Sequence, residues 1–314
     1  MLIDKKSLYC CERKLLTYSI IMNLSYTWQS IKTKSYWEYA LWTYDSLKMF
    51  LAVLGAFWTI FEMISFFKLL DQNKLPSYTF LILVGISLII VIITRRPITS
   101  ITYKVAGRDQ VIVVKIGDIF NEKGQKVIST NTTFDTDIQT GIIAQGSLQG
   151  QFTKRYFQQN MQALDNLIDN GLVGLNFVVY QKRAGKDKKY PLGTTVRMDI
   201  MGETFYWLAM SNLNYDNTAG STLQEVLTSL DGLWDFIIAK GENDPIVLPL
   251  VGTGRGRVKT HRKRVIARLA QSFTQASEHT VFSKKLIIVV HPSDAEEFGV
   301  NLFEVRDLLK HYLP

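Results

Sequence analysis

Leu75-Pro76-Ser77-Tyr78-Thr79-Phe80-Leu81-Ile82-Leu83-Val84-Gly85-Ile86-Ser87-Leu88-Ile89-Ile90-Val91-Ile92-Ile93-Thr94 runs for twenty residues without a charge. At about 1.5 Å per helical residue this length matches a hydrocarbon core of roughly 30 Å, which predicts a transmembrane helix. Upstream, the stretch from Met49 to Phe67 is nineteen residues broken only by Glu62 and predicts a second span, although a buried amphipathic helix has a similar pattern. Neither run has the position or the small-residue end of a cleaved signal peptide. The apolar block from Leu47 to Thr94 therefore sets the class of the whole chain.

Charge around these runs predicts a topology. Lys5, Lys6, Arg13, Lys14, Lys32 and Lys34 precede the first span, and Arg95, Arg96, Lys104 and Arg108 follow the second. The connector from Lys68 to Ser77 carries only Lys68 and Lys74. By the positive-inside rule the spans form a hairpin in the cell membrane with both termini cytoplasmic. Residues 1–46 are then a cytoplasmic N-terminal segment, 47–94 the two spans and 95–107 a linker. Of the net charge of +8, residues 1–100 hold +5, from 11 basic against 6 acidic residues. Membrane-flanking charge thus explains much of a balance that would otherwise suggest nucleic acid. The two cysteines, Cys10 and Cys11, are adjacent and have no partner elsewhere for a disulfide framework or a metal site.

Beyond the linker the pattern changes to strands alternating with amphipathic helices, an α/β signature. Strands are expected at Val111 to Ile116, Lys126 to Ser129, Leu175 to Tyr180, Ile246 to Leu250 and Lys285 to Val290. Thr194 to Ile200 and Thr204 to Met210 read as a hairpin, so the sheet is mixed. Helices are expected from Phe152 to Ile168 with Gly171 as the stop, around Leu223 to Ile238, from His261 to Ser277, and from Leu302 to Tyr312.

Two constellations carry chemistry. Leu250-Val251-Gly252-Thr253-Gly254-Arg255-Gly256-Arg257 follows a buried strand and precedes a helix, where backbone amides, a helix N-terminus and two guanidinium groups suit a phosphate. It is neither a Walker loop nor a Rossmann fingerprint, and a flexible glycine turn with solvated arginines is the alternative. From Arg255 to Arg268 there are seven basic residues and no acidic one. A solvated helix face, an anionic lipid contact or a nucleic-acid stripe all fit that run, but the lack of interleaved aromatics argues against a single-strand platform. The second constellation is Gly117-Asp118-Ile119-Phe120, then Ser129-Thr130-Asn131, then Gly146-Ser147-Leu148-Gln149-Gly150-Gln151-Phe152 at a helix start.

This order of strand, Gly-Asp-Ile, Asn-bearing loop, Gly-rich loop opening a helix and later Gly-Thr-Gly loop resembles the macro domain, a family that binds ADP-ribose. With two spans in front, residues 100–314 resemble the macro-domain effectors of type II Thoeris anti-phage defence. The resemblance implies a macro-like three-layer α/β/α domain with a mixed sheet over residues 108–314. It also implies that Asp118 accepts a hydrogen bond from the adenine amino group, with Ile119 beside it, and that Asn131 faces the distal ribose. Gly146, Ser147 and Gly150, with Gly252, Thr253, Gly254, Arg255, Gly256 and Arg257, would close on the pyrophosphate. The usual Asn-Ala-Ala-Asn pattern is replaced here by Thr130-Asn131-Thr132-Thr133. A denser glycine run than Gln145-Gly146-Ser147 is usual in hydrolytic macro domains.

No nucleophile, acid-base pair or metal cluster stands out, and His261, His279, His291 and His311 are scattered. The expectation is therefore a non-enzymatic effector with no cofactor and no nucleic-acid partner. The resemblance implies that it senses an ADP-ribose-derived second messenger, histidine-conjugated and made from NAD by a TIR-domain protein. It then self-associates into an oligomer and breaches the bilayer, an abortive-infection outcome. A membrane-tethered ADP-ribosyl hydrolase and a basic-face adaptor for nucleic acid or lipid are the alternatives. In the first span Ala52, Gly55, Ala56, Thr59 and Glu62 fall at helical spacing, a small polar stripe suited to helix packing or to lining a pore. A protonated or snorkelling Glu62 is the plainer explanation.

Overall fold

The computed structural model describes residues 27–28, 31–32, 34–67, 76, 78–241, 243–251 and 260–313, and it divides into two compact units that meet between Ile98 and Thr99.

In the first unit a short helix α1 (Lys34–Leu41) leads into α2 (Tyr44–Phe66), and α3 (Thr79–Thr94) follows. Helix α2 starts where Thr43 turns its hydroxyl to the Ser46 amide, a cap that withdraws one of the orphan donors of the first turn. Its 23 residues make it the one helix among those described that is long and apolar enough to cross a membrane. The expected twenty-residue span is shorter than its sequence: α3 has 16 residues because the chain is still turning at Pro76, whose carbonyl accepts from the Thr79 amide and hydroxyl. That gives α3 about 24 Å of length against about 34 Å for α2. The two helices meet along their half-buried residues, with Trp58 edge-on to Phe80 at 6.4 Å. Arg95 closes the unit, its Nε donating to the Tyr39 carbonyl at 3.2 Å and its Nη2 to Thr43 Oγ1 at 3.1 Å.

The expected linker is corrected first in the second unit. Ser100–Lys104 inside it is strand β1, recruited to the sheet edge by antiparallel pairing with β2 (Val111–Ile116). The sheet runs β1-β2-β10-β9-β3-β7-β6, where β3 is Gln125–Asn131, β6 Thr195–Ile200, β7 Glu203–Leu213, β9 Ile246–Pro249 and β10 Lys285–Val290. Strand β8 (Ala219–Gly220) pairs with β7 off this path. The five strands from β2 to β7 are parallel, and β1 and β6 are antiparallel at the two ends. The β6–β7 turn is Met201-Gly202, both at positive φ, as a tight hairpin matched to sheet twist demands.

Alternation along the strands sorts the core. In β7, Phe205, Trp207 and Ala209 join Phe152, Leu164 and Ile168 on one face, whereas Tyr206 turns to the other face and meets Phe236 edge-on at 6.0 Å. The first face carries α4 (Leu148–Phe157) and α5 (Met161–Gly171). The second carries α6 (Leu223–Lys240), α7 (Arg262–Ala276) and α9 (Leu302–Tyr312), while the short α8 (Pro292–Glu297) follows β10. Thr222 and Glu225 form a capping box at the start of α6, and Gly241 ends it in the left-handed conformation. This is the three-layer α/β/α domain with a mixed sheet that the sequence led us to expect.

Two local expectations are corrected. The single helix from Phe152 to Ile168 is two, because Asn160 caps a new start by accepting from the Ala163 amide at 3.0 Å. Gly171 is the last residue of α5, as expected of the stop, and a Cβ there would stand 2.5 Å from Val196 Cγ1, so the residue also serves a close approach to β6. The strand from Leu175 to Tyr180 is only β4 (Val178–Val179), paired with β5 (Lys188–Lys189) in a separate ribbon.

Candidate functional site

Strands β9 and β3 lie side by side yet pair at only two positions, Gln125 with Ile246 and Lys126 with Val247. Beyond these the strands part. On one side β9 stays registered with β10 as far as Pro249, which has no amide hydrogen to give a neighbour. On the other β3 follows β7 and takes a bulge between Thr130 and Asn131. Because the strands from β2 to β7 are parallel, the loops after β2, β3, β9 and β10 all leave at the same edge, beside the point where β3 and β9 stop pairing. A crevice at the carboxyl ends of parallel strands is the general ligand site of open α/β sheets.

The loops after β2 and β3 hold six of the twelve expected residues: Asp118, Ile119, Asn131, Gly146, Ser147 and Gly150. Asp118 is half-buried just after β2, where Gly117 donates its amide to the Val290 carbonyl at the end of β10. Its Oδ1 accepts from the Phe120 amide at 3.0 Å and starts the 3-10 turn Ile119–Asn121. The Ile119 side chain faces the core, 5 % exposed, so only its main chain is available to a ligand. Asn131 is buried with its carboxamide oxygen turned onto its own loop, accepting from Thr133 N, Thr133 Oγ1 and Asp135 N. That oxygen is committed to shaping the loop. Ser147 caps α4 by accepting from the Gly150 amide at 3.1 Å and donates its hydroxyl to the Ala144 carbonyl at 2.6 Å.

The two glycines of this loop differ. Gly146 is exposed with open space around its Cβ position, whereas a Cβ on Gly150 would stand 2.1 Å from the Ala144 carbonyl oxygen. Gly150 therefore lets the loop lie against its helix. Gly252, Thr253, Gly254, Arg255, Gly256 and Arg257 lie outside the described residues, as do Cys10 and Cys11.

Residues 112–291 match the family model described as the macro domain of the Thoeris protein ThsA. The chain belongs to the Thoeris ThsA macro-domain family. A Thoeris protein ThsA from Bacillus amyloliquefaciens (strain Y2) is 31 % identical over 186 residues, covering 55 % of this chain and 59 % of that protein. The match thus spans less than two thirds of that ThsA relative. Among solved structures, the Oceanobacillus iheyensis macrodomain with MES bound aligns with a TM-score of 0.46 at 15 % identity, over 68 % of this chain and 96 % of that one. The same macrodomain with ADP gives 0.46 at 14 % identity, over 68 % and 95 %.

Sequence reasoning missed what holds the loop after β3 of this ThsA-family domain in shape. Asp135, in the loop after β3, is 1 % exposed and takes an ion pair from Lys182 at 2.6 Å. It also accepts from the Lys186 amide at 2.7 Å and the Thr133 hydroxyl at 2.5 Å, and its carbonyl accepts from Gln149 Nε2. The neighbouring Phe134 is fully buried at a positive φ of 51°, a conformation a bulky side chain keeps only when its surroundings over-determine it. The hydroxyls of Thr130 and Thr132, at the carboxyl end of β3, are buried without a hydrogen-bond partner among the described residues. The alternation of β3 placed these threonines at its carboxyl end, but nothing in the sequence marks them as unpartnered.

At the start of β7, buried Lys126 pairs with Glu203 at 2.6 Å, and Tyr156 donates to the same carboxylate at 3.0 Å. Burial, then the Glu203 carboxylate, push the Tyr156 hydroxyl up to about 12. Burial also raises Glu203, but the Lys126 and Tyr156 hydrogen bonds outweigh it and hold the group below its ordinary value. The basic helix α7 is partly neutralised within the domain: Lys263 pairs with Glu304 at 2.9 Å, and Arg262 lies 4.0 Å from the centre of the Phe298 ring.

Proposed function

We propose that this chain is an anti-phage defence effector whose macro domain binds an ADP-ribose-derived nucleotide without turning it over. What carries the reading is the sheet edge where β3 and β9 stop pairing, with the loop of Asp118 following β2 and the Ser147-capped start of α4 following β3. Adenine would be read by Asp118 Oδ2, since Oδ1 is engaged by the Phe120 amide. The pyrophosphate would sit between the start of α4 and the 252–257 loop, where main-chain amides and arginines suit an anion. The unpartnered hydroxyls of Thr130 and Thr132 favour a polar occupant. Membership of the ThsA family supports the defence role, and the resemblance to type II systems makes histidine-conjugated ADP-ribose from a TIR-domain enzyme the favoured signal.

The membrane half of the proposal keeps a hairpin in the cell membrane with both termini cytoplasmic. Its support is the length of α2 and the apolar side chains exposed on both helices, among them Leu51, Ile60, Met63, Leu81, Ile89 and Ile93. In water such surfaces are unfavourable, and in lipid they are not. Helix α3 is short for a span, which local bilayer thinning accommodates at modest cost. Ala52, Gly55, Ala56, Thr59 and Glu62 are all exposed on α2, open to a neighbouring copy in an oligomer that disrupts the bilayer.

The test is calorimetric titration of the full chain in lipid nanodiscs with ADP-ribose and with its histidine conjugate. We expect saturable binding with the conjugate tighter. No binding of either nucleotide would sink the sensor reading, and release of ADP-ribose from an ADP-ribosylated protein would replace it with the hydrolase.

A further inference from the structure

The ribbon of β4 and β5 is built unlike the rest of the domain. Its two strands pair with each other and not with the main sheet, so its apolar residues have no layer to cover them. Val173 is 77 % exposed, Val178 63 % and Val179 72 %, with Leu175 and Phe177 also exposed. The ribbon is nonetheless anchored. The Phe177 ring packs against buried Tyr190 at 5.8 Å, the Tyr180 amide donates to the Asp187 carbonyl, and Lys182 is locked to Asp135.

Residues 173–190 contain five cations and one carboxylate, Asp187. Two of the cations are neutralised by the domain: Lys182 by Asp135, and Lys186 by Asp165 and Asp169 of α5. Arg183 and Lys188 are left to balance Asp187, while Lys189 also acts on the Glu225 carboxylate at the start of α6. Lys188 lies 4.9 Å from the Phe177 ring centre and Lys189 4.9 Å from that of Tyr180, so cations and rings alternate along the same ribbon.

Exposed aliphatics with aromatics and unneutralised cations are the composition that settles at the interface of an anionic bilayer. From this we infer that the β4–β5 ribbon docks on an anionic lipid surface, with Val178 and Val179 entering the headgroup region and Arg183, Lys188 and Lys189 meeting lipid phosphate or carboxylate. A second copy of the chain fits less well, because a two-fold contact would set these cations against themselves. The inference rests on the membrane reading only in bringing lipid within reach.

The experiment uses the full chain with Cys10 and Cys11 replaced by serine and an environment-sensitive nitrobenzoxadiazole dye on Val179→Cys. It is placed in nanodiscs of phosphatidylcholine alone or with phosphatidylserine. We expect brighter, blue-shifted emission with phosphatidylserine, reversed by salt, while the same dye on Met201→Cys in the β6–β7 turn does not respond. Lys188→Gln and Lys189→Gln should each weaken the contact about fivefold. The lipid comparison stands even if those variants fail to fold. Equal emission in both lipids overturns the inference, and so does emission that follows the number of chains per disc whatever the lipid. Alkaline carbonate extraction reads insertion separately: a chain that carbonate strips, but whose dye still answers phosphatidylserine, keeps the ribbon inference and sinks the anchor.

Discussion

Asp135 and Lys182 form a buried ion pair 2.6 Å long between the loop after β3 and the loop that joins β4 to β5, with side chains 1 % and 2 % exposed. Removing one member of such a pair strands the other charge in a poorly solvated site. We therefore expect Lys182→Met to cost about 3 to 5 kcal/mol in chemical denaturation. The double variant Lys182→Met, Asp135→Leu should recover part of that loss. A single variant as stable as the parent would show that solvent reaches the pair.

Asp118 has two tasks that substitution can separate. Asp118→Ala removes both the cap on the 3-10 turn, worth about 1 kcal/mol, and the proposed adenine acceptor, worth about ten- to hundredfold in affinity. Asp118→Asn keeps an oxygen for the Phe120 amide but loses the charge. Titration of both with the nucleotide should find stability restored in Asp118→Asn and affinity still reduced. Parental affinity in a folded Asp118→Ala would take the residue out of the site.

The two glycines before and within α4 should respond in opposite ways. Gly150→Ala drives a methyl group into the Ala144 carbonyl, so the loop must move and melting should fall by several degrees. Gly146→Ala meets open space and should melt like the parent. If Gly146→Ala nevertheless binds nucleotide less well, its main chain approaches the ligand.

Alkaline pH offers a fourth test. Tyr156 is held protonated up to about 12 by burial and the Glu203 carboxylate. Its folded value lies above the unfolded value of about 10. The associated stability is therefore fully present below pH 10 and is lost as pH rises through about 12. Tyr156→Phe should flatten this part of the stability profile, measured by urea unfolding at successive pH values. An unchanged alkaline slope would mean that the phenol is freely solvated.

The membrane proposal turns on Glu62, which accepts from the Trp58 indole at 3.2 Å and is exposed on α2. Glu62→Leu should leave nucleotide binding intact and reduce ligand-triggered dye leakage from liposomes, because the stripe loses its water-tolerant position. Leakage at the parental rate would remove the stripe from the conducting path.

What the sequence made legible was what is local. β2, β10 and α9 lie where their apolar spacing put them, and Met201-Gly202 turned where a hairpin needed positive φ. The failures have different causes: the break at Asn160 is a local cap that was overlooked, whereas the others turned on which strand or layer, if any, each segment meets. Ser100–Lys104 reads as linker until β2 pairs with it, and Leu175–Tyr180 reads as a core strand although no layer covers it. Asp135 and Lys182 are 47 positions apart, and nothing in either neighbourhood announces the other. Asn131 and Gly150 were singled out as ligand contacts, but their described bonds and contacts serve their own loops.

The two register pairs between β3 and β9 give the sheet a mechanical character. It is two plates, β1-β2-β10-β9 and β3-β7-β6, joined by a short seam at Lys126 and Val247. Elsewhere the plates are held by packing, as when Ile128 and Trp207 of one share a cluster with Val247, Ile287 and Val289 of the other. Ladder hydrogen bonds are directional and resist bending, whereas apolar cohesion is not and tolerates a change of angle. Each plate is thus stiff and the joint between them compliant. A molecule lodged where the two plates stop pairing would act as a wedge whose size sets the angle, and the helices packed on each plate would move with it.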